Sequence, residues 1–146
     1  KTNQLAPAGS VVRGKYLYPL ADTEYIKAAS LITNPFVFTK DEIEGEAKHL
    51  YTVNCAICHG DKGDGQGHLV QIDKFPPPPS YLNEPLLSLS DGQRYHTLMY
   101  GKNMMGSYAS QLNHRERWLV LSYVKSLQNA SKPSATTVKT DSTKTK

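Results

Sequence analysis

The sequence predicts an all-α domain of three or more helices, flanked by an extended N-terminal arm and a disordered C-terminal tail. Three observations carry that expectation. A helix-start device recurs at three places. No run of residues shows the period-two alternation of a half-buried strand. The stretch that holds the helix signals is rich in long loops, so its core is thin and needs something to fill the middle.

The helix starts are Thr39 with Glu42, Ser90 with Gln93 and Asn113 with Glu116. Each has capping-box spacing, in which the first side chain accepts from an orphan backbone N–H and the acid or amide reaches back. The first predicts a helix over about 40–54, ending at Cys55. The second predicts a helix over about 91–100, stopped by Gly101 as a left-handed C-cap. The third predicts a helix over about 114–127, where Val120, Tyr123, Val124 and Leu127 recur at i, i+3, i+4 and i+7 on one apolar face. The remainder reads as loop, notably the glycine-rich 61–67 and Phe75 followed by Pro76, Pro77, Pro78 and Pro79.

These elements divide the chain into an extended arm over 1–38, a domain over 39–128 and a Ser/Thr/Lys tail over 129–146. The tail has almost nothing to bury and reads as disordered. No stretch approaches the roughly 18 apolar residues of a membrane helix. Net charge is +4, but Lys132, Lys139, Lys144 and Lys146 against Asp141 put three of those charges in the tail. The near-neutral remainder argues against nucleic acid as a partner. No signal-peptide pattern opens the chain, so the expectation is of a form from which one has been removed, with room for a lipid anchor upstream of Lys1.

The chemistry is concentrated in Cys55-Ala56-Ile57-Cys58-His59. Two thiols three residues apart lie on one side of a helical turn, spaced to form thioethers with the two vinyl groups of a porphyrin. The imidazole of the next residue then falls beneath the iron. The motif therefore predicts one covalent haem c, with helices around it and His59 as proximal ligand. A zinc site would need a second pair of ligands at suitable spacing, which is absent. A redox dithiol normally follows a strand, whereas here the pair follows a helix.

A filled sixth position separates electron transfer from ligand chemistry. Met99, Met104, Met105, His49, His68, His96 and His114 are the candidates. Met99 falls inside the second helix and reads as core. Met104 and Met105 lie beyond Gly101, in a loop able to lay a thioether across the open face. Met105 is the preferred ligand, with Met104 the alternative and a histidine or open site behind both. The other histidines read as surface or propionate-side residues. The glycines of 63–67 lack the Gly-Lys-Ser/Thr of a phosphate loop, and Asp61 and Asp64 lack the rest of a calcium loop. The glycines are expected to let backbone pass a porphyrin edge, and the prolines to wall the His59 side, one carbonyl accepting from His59 Nδ1.

Over 40–128 this order of helix, CxxCH, glycine loop, proline stretch, helix, Met loop and aromatic-bearing last helix resembles the class I cytochromes c. The resemblance implies that Ala47 and Tyr51 on the first helix cross Tyr123 on the last. Ala47 stands where that family usually has Gly, and Gly106 where it often has Pro. A narrower resemblance rests on Val11-Val12-Arg13-Gly14, Asn34-Pro35, Pro78-Pro79-Ser80-Tyr81 and Met105-Gly-Ser-Tyr-Ala-Ser-Gln-Leu112. These stretches are similar to the mono-haem cytochrome subunits of bacterial alternative complex III, a membrane quinol oxidoreductase. That resemblance implies a periplasmic, membrane-associated setting through partners or an upstream lipid anchor. It also implies an arm that docks on neighbouring subunits and Pro79 and Tyr81 as haem contacts. A multi-haem cytochrome would be the donor, and a terminal oxidase or soluble carrier the acceptor. The chain on its own is then an electron-transfer subunit and not an enzyme. The alternatives are a freely diffusing periplasmic carrier and, in another class, a haem enzyme or gas sensor with an open sixth site.

Overall fold

The computed structural model describes residues 7, 9, 10 and 16–131. The Val11–Gly14 motif and all of the tail beyond Ser131 lie outside the described residues.

The three expected helices form where the capping boxes place them. Thr39 Oγ1 accepts from Glu42 N at 3.3 Å while the Glu42 carboxylate accepts from Thr39 N at 2.7 Å. Ser90 with Gln93 and Asn113 with Glu116 make the same reciprocal pairs. The first helix runs as α2 (Lys40–Glu42), a π turn (Ile43–Ala47) and α3 (Lys48–Asn54). Short helices α4 (Ala56–His59) and α5 (His68–Gln71) follow. Then come α6 (Asp91–Tyr100) and α7 (His114–Ala130), the latter three residues longer than expected. No strand is present among the described residues, and none of their helices is long and apolar enough to cross a membrane.

The last helix crosses the first. Ala47 is fully buried at the π turn that packs on α7, and the Tyr51 and Tyr123 rings meet at 5.1 Å. Arg115 of α7 binds Glu42 and Glu46 across the same crossing. A first apolar cluster forms on the α3 side of α7, from Tyr51, Cys55, Ala56, Leu112, Val120 and Val124.

The expectation of an extended arm is corrected over the part described. Residues 16–38 fold back onto the chain, forming a 3-10 turn (Asp22–Glu24) and α1 (Tyr25–Leu31). Leu20, Ala28 and Ile32 join Tyr95, Leu98, Trp118 and Leu121 in a second apolar cluster. Gly92 makes this packing possible, because a Cβ there would fall on the Ala28 carbonyl. The segment has no legible helical period for a physical reason. Ala28 and Ile32 turn inward, while Ile26 and Leu31, equally apolar, remain 75% and 63% exposed.

Candidate functional site

Both cysteines lie at the junction of α3 and α4. Cys55 N donates to Tyr51 O at 2.8 Å, ending α3, and His59 N donates to Cys55 O at 2.9 Å, closing the turn that carries the motif. Tyr51, fully buried, donates from Oη to Gly60 O at 2.7 Å and so pins the end of α4 to α3. Gly60 then takes φ +77°, and Gly65 N returns to His59 O at 2.8 Å.

The glycines serve this return path by letting the loop lie close to neighbouring protein. A Cβ at Gly63 would strike the Tyr81 ring, one at Gly65 the Pro78 carbonyl, and one at Gly67 the Ile57 carbonyl and Cys58 backbone. The loop thus lies tight against α4 and the Pro–Tyr segment. Ser80 Oγ and Tyr81 N both donate to Gly63 O, at 3.2 and 2.8 Å.

Cys55 and Cys58 are not bridged. Burial and the neighbouring Cys58 push the Cys55 thiol up to about 12. Such a thiol stays protonated at neutral pH, the opposite of the low-pKa nucleophile of a dithiol oxidoreductase. Among the described residues no group of three or more His, Cys, Asp or Glu side chains is placed to hold a metal ion.

His59 is largely buried, and burial lowers its pKa to about 4, so the imidazole is neutral and its lone pair available. Its Nδ1 is buried with no hydrogen-bond partner among the described residues. The expected proline carbonyl is not there; Pro78 turns its carbonyl toward Gly65 and Pro79 is exposed. Instead the ring stacks on Tyr81, with centroids 4.6 Å apart and planes 16° from parallel. Tyr81 and Tyr108 sit beside the thiols, and burial raises both phenol pKa values, so neither carries charge.

The two methionines beyond Gly101 part company. Met104 is 64% exposed, whereas Met105 is half-buried against the second cluster. Tyr108, three residues on, packs against both clusters and donates from Oη to Asn54 O at 2.9 Å, the residue before Cys55. That tether joins the Met105 loop to the cysteine turn. Sequence reasoning quoted Tyr108 in the Met105–Leu112 stretch without giving it a role.

Of the remaining histidines, expected at the surface or beside the propionates, His96 is instead buried in the core. His49 and His68 are exposed. His96 is buried, with Nε2 2.9 Å from Asp22 O and Nδ1 2.9 Å from Tyr18 Oη. A carbonyl only accepts, so Nε2 carries the proton and in the neutral ring Nδ1 accepts from the Tyr18 hydroxyl. His114 Nδ1 is engaged at 2.7 Å by Tyr95 Oη, which itself accepts from Arg117 Nε at 3.0 Å. His96 is thus a structural core histidine, with both nitrogens used.

Two unbridged thiols on one turn, with a half-buried neutral imidazole that makes no side-chain hydrogen bond among the described residues, fit a porphyrin attached through two sulfurs and held by a nitrogen. A cleft of about 500 Å³ lies between Gln66, Val70, Phe75, Pro76 and Pro77, and neither His59 nor Met105 lines it. Residues 44–124 match the family model described as cytochrome c oxidase, cbb3-type, subunit III. Comparison with curated proteins gives no match.

Proposed function

Since the chain belongs to the cytochrome c family so described, it carries covalently bound haem c and transfers electrons, and from that premise we propose which residues do so and in what setting. Cys55 and Cys58 Sγ would hold the haem as two thioethers, and His59 Nε2 and Met105 Sδ would be its iron ligands. When bound, the haem supplies a one-electron Fe(II)/Fe(III) couple whose potential a soft thioether ligand raises. The chain's part is to hold both axial groups and keep water out. Tyr51 and Gly60 fix the turn, Tyr81 covers the imidazole and Tyr108 ties the distal loop to Asn54. Held by His59 and Met105, the group would supply outer-sphere electron transfer with no site for a substrate on the iron. Tyr81 is a cofactor contact in this reading; Pro79, though exposed, stays a candidate one.

The observation that carries this reading is His59: half-buried and neutral, its buried Nδ1 without a partner among the described residues, immediately after two unbridged thiols. A denaturing gel stained for haem tests it. Colour should run with the wild-type chain and vanish from it in the Cys55→Ala, Cys58→Ala double variant. A wild-type chain purified from its native source with no colour, and two thiols open to alkylation, would overturn it.

For the setting, we propose the mono-haem subunit of alternative complex III in a bacterial respiratory chain, on the periplasmic face of the membrane. Asn34-Pro35, Pro78–Tyr81 and Met105–Leu112 support it. The family description, which names an oxidase subunit, supports membership of a membrane redox complex more generally. A multi-haem subunit would donate electrons, and a terminal oxidase or soluble carrier would accept them. Size-exclusion after mild detergent extraction separates this from a diffusing carrier. Co-elution with a multi-haem cytochrome is expected, and elution as a monomer would contradict it.

A further inference from the structure

The loop bearing Met105 is tied to the N-terminal segment by its own backbone. Gly101 leaves α6 at φ +86°, and a Cβ there would fall on the Met105 carbonyl. The chain then closes a tight turn in which Lys102 N donates to Met105 O at 2.9 Å and Met105 N donates to Lys102 O at 3.0 Å. Met105 therefore moves with Lys102. The Lys102 ammonium lies 4.0 Å from the centroid of the Tyr25 ring, on the first residue of α1. No carboxylate binds Lys102 among the described residues, so the ring face is its counterpart there. Just before the turn, Tyr100 Oη donates to Leu20 O at 2.6 Å. Both tethers reach residues that precede the matched span 44–124.

We propose that Tyr25 and Lys102 are positioning residues for the distal ligand, the N-terminal segment clasping the loop so that Met105 stays in place. This rests on Met105 being that ligand. The clasp acts by linkage: a contact made only while the loop is closed stabilises the closed over the open loop by its own free energy. An added ligand that displaces Met105 binds only the open loop, so breaking the clasp raises its apparent affinity by the same factor. A cation over an aromatic face at a partly exposed site is worth about 1 kcal/mol, or roughly fivefold.

The test uses the full-length, haem-loaded chain and imidazole as competitor, read by loss of the sulfur-to-iron near-infrared band of the oxidised protein. Lys102→Gln and Tyr25→Leu should each tighten imidazole binding by roughly fivefold, and the double variant by no more than either alone. Ile26→Ala, on the exposed side of the same helix, should leave it unchanged. Lys102 is exposed, so its variant keeps the test valid if Tyr25→Leu does not fold. A wild-type chain without the sulfur band would overturn the Met105 reading and the clasp with it. A band present, with unchanged imidazole affinity in Lys102→Gln, would overturn the clasp alone.

Discussion

The two apolar clusters are built from the same last helix and differ in what closes them. The cluster around Trp118 is closed by protein. Its inner faces come from α1, α6 and α7, and its rim is a polar network of Tyr18, His96, Asp22 O, Tyr95, His114 and Arg117. Arg117 completes that network by donating to the Leu112 and Ala109 carbonyls, which caps the end of the Met105 loop. The cluster around Cys55 is closed by tyrosines beside two free thiols and an imidazole whose Nδ1 has no partner among the described residues. The first pairs most of its polar groups with one another, though Trp118 Nε1 and, on α1, Tyr25 Oη have no partner among the described residues; the second gathers two thiols and an imidazole on one turn. One side of α7 is thus closed by side chains that largely hydrogen-bond to one another, while the other collects the groups that suit a cofactor.

The contrast predicts where stability and colour can be separated. The largest effect belongs to Trp118→Ala. Trp118 is 1% exposed and stacks on Tyr95 at 4.5 Å, so its loss should cost about 3–5 kcal/mol in denaturant unfolding. The haem spectrum of the folded fraction should be unchanged, since Trp118 belongs to the cluster that protein closes. Next comes Gly92→Leu, which drives a side chain into the Ala28 carbonyl and should cost about 2–3 kcal/mol, read as a lower unfolding midpoint. If that variant were as stable as wild type, the N-terminal segment would not be docked on α6.

Much of this was legible because it is local. Capping boxes act over three residues, and the cysteine motif over five, so Thr39, Ser90, Asn113, Cys55, Cys58 and His59 announce themselves. The folding-back of residues 16–38 was not legible, since it depends on a glycine about sixty residues away being small enough to admit Ala28. For the same reason His96 read as a surface or propionate-side histidine: nothing near it in sequence reveals Tyr18 or Asp22 O. Close approach of the glycine loop was legible from its composition, whereas its neighbours in the chain, Tyr81 and the backbone of Pro78 and Cys58, were not.

Smaller effects sharpen the comparison on the other side. Tyr108→Phe keeps the ring and removes the bond to Asn54 O, and should cost about 1 kcal/mol by denaturant unfolding. Unlike Trp118→Ala it should also weaken the sulfur-to-iron band at elevated temperature, because it frees the distal loop from the cysteine turn. The smallest effect is one of pH. Burial, then the charge of Arg117, lowers the His114 pKa below its ordinary 6.5. The folded state then binds fewer protons than the unfolded one, so His114 contributes stability that is present above pH 6.5 and falls away as pH drops below it. The faces around it are Tyr16, Phe36, Tyr95 and Arg117, and none of them supplies a carboxylate. Unfolding midpoints at pH 7.5 and 5.5 should differ less in His114→Gln than in wild type; an equal difference would remove this histidine from the acid response.

The measurement that bears most directly on the site is the visible and near-infrared spectrum of the purified full-length chain in both oxidation states. A sharp α-band on reduction, together with a weak sulfur-to-iron band on oxidation, is the result predicted for His59 and Met105 as axial pair. A high-spin oxidised spectrum, with carbon monoxide binding to the reduced protein at neutral pH, would contradict it and show an open sixth position.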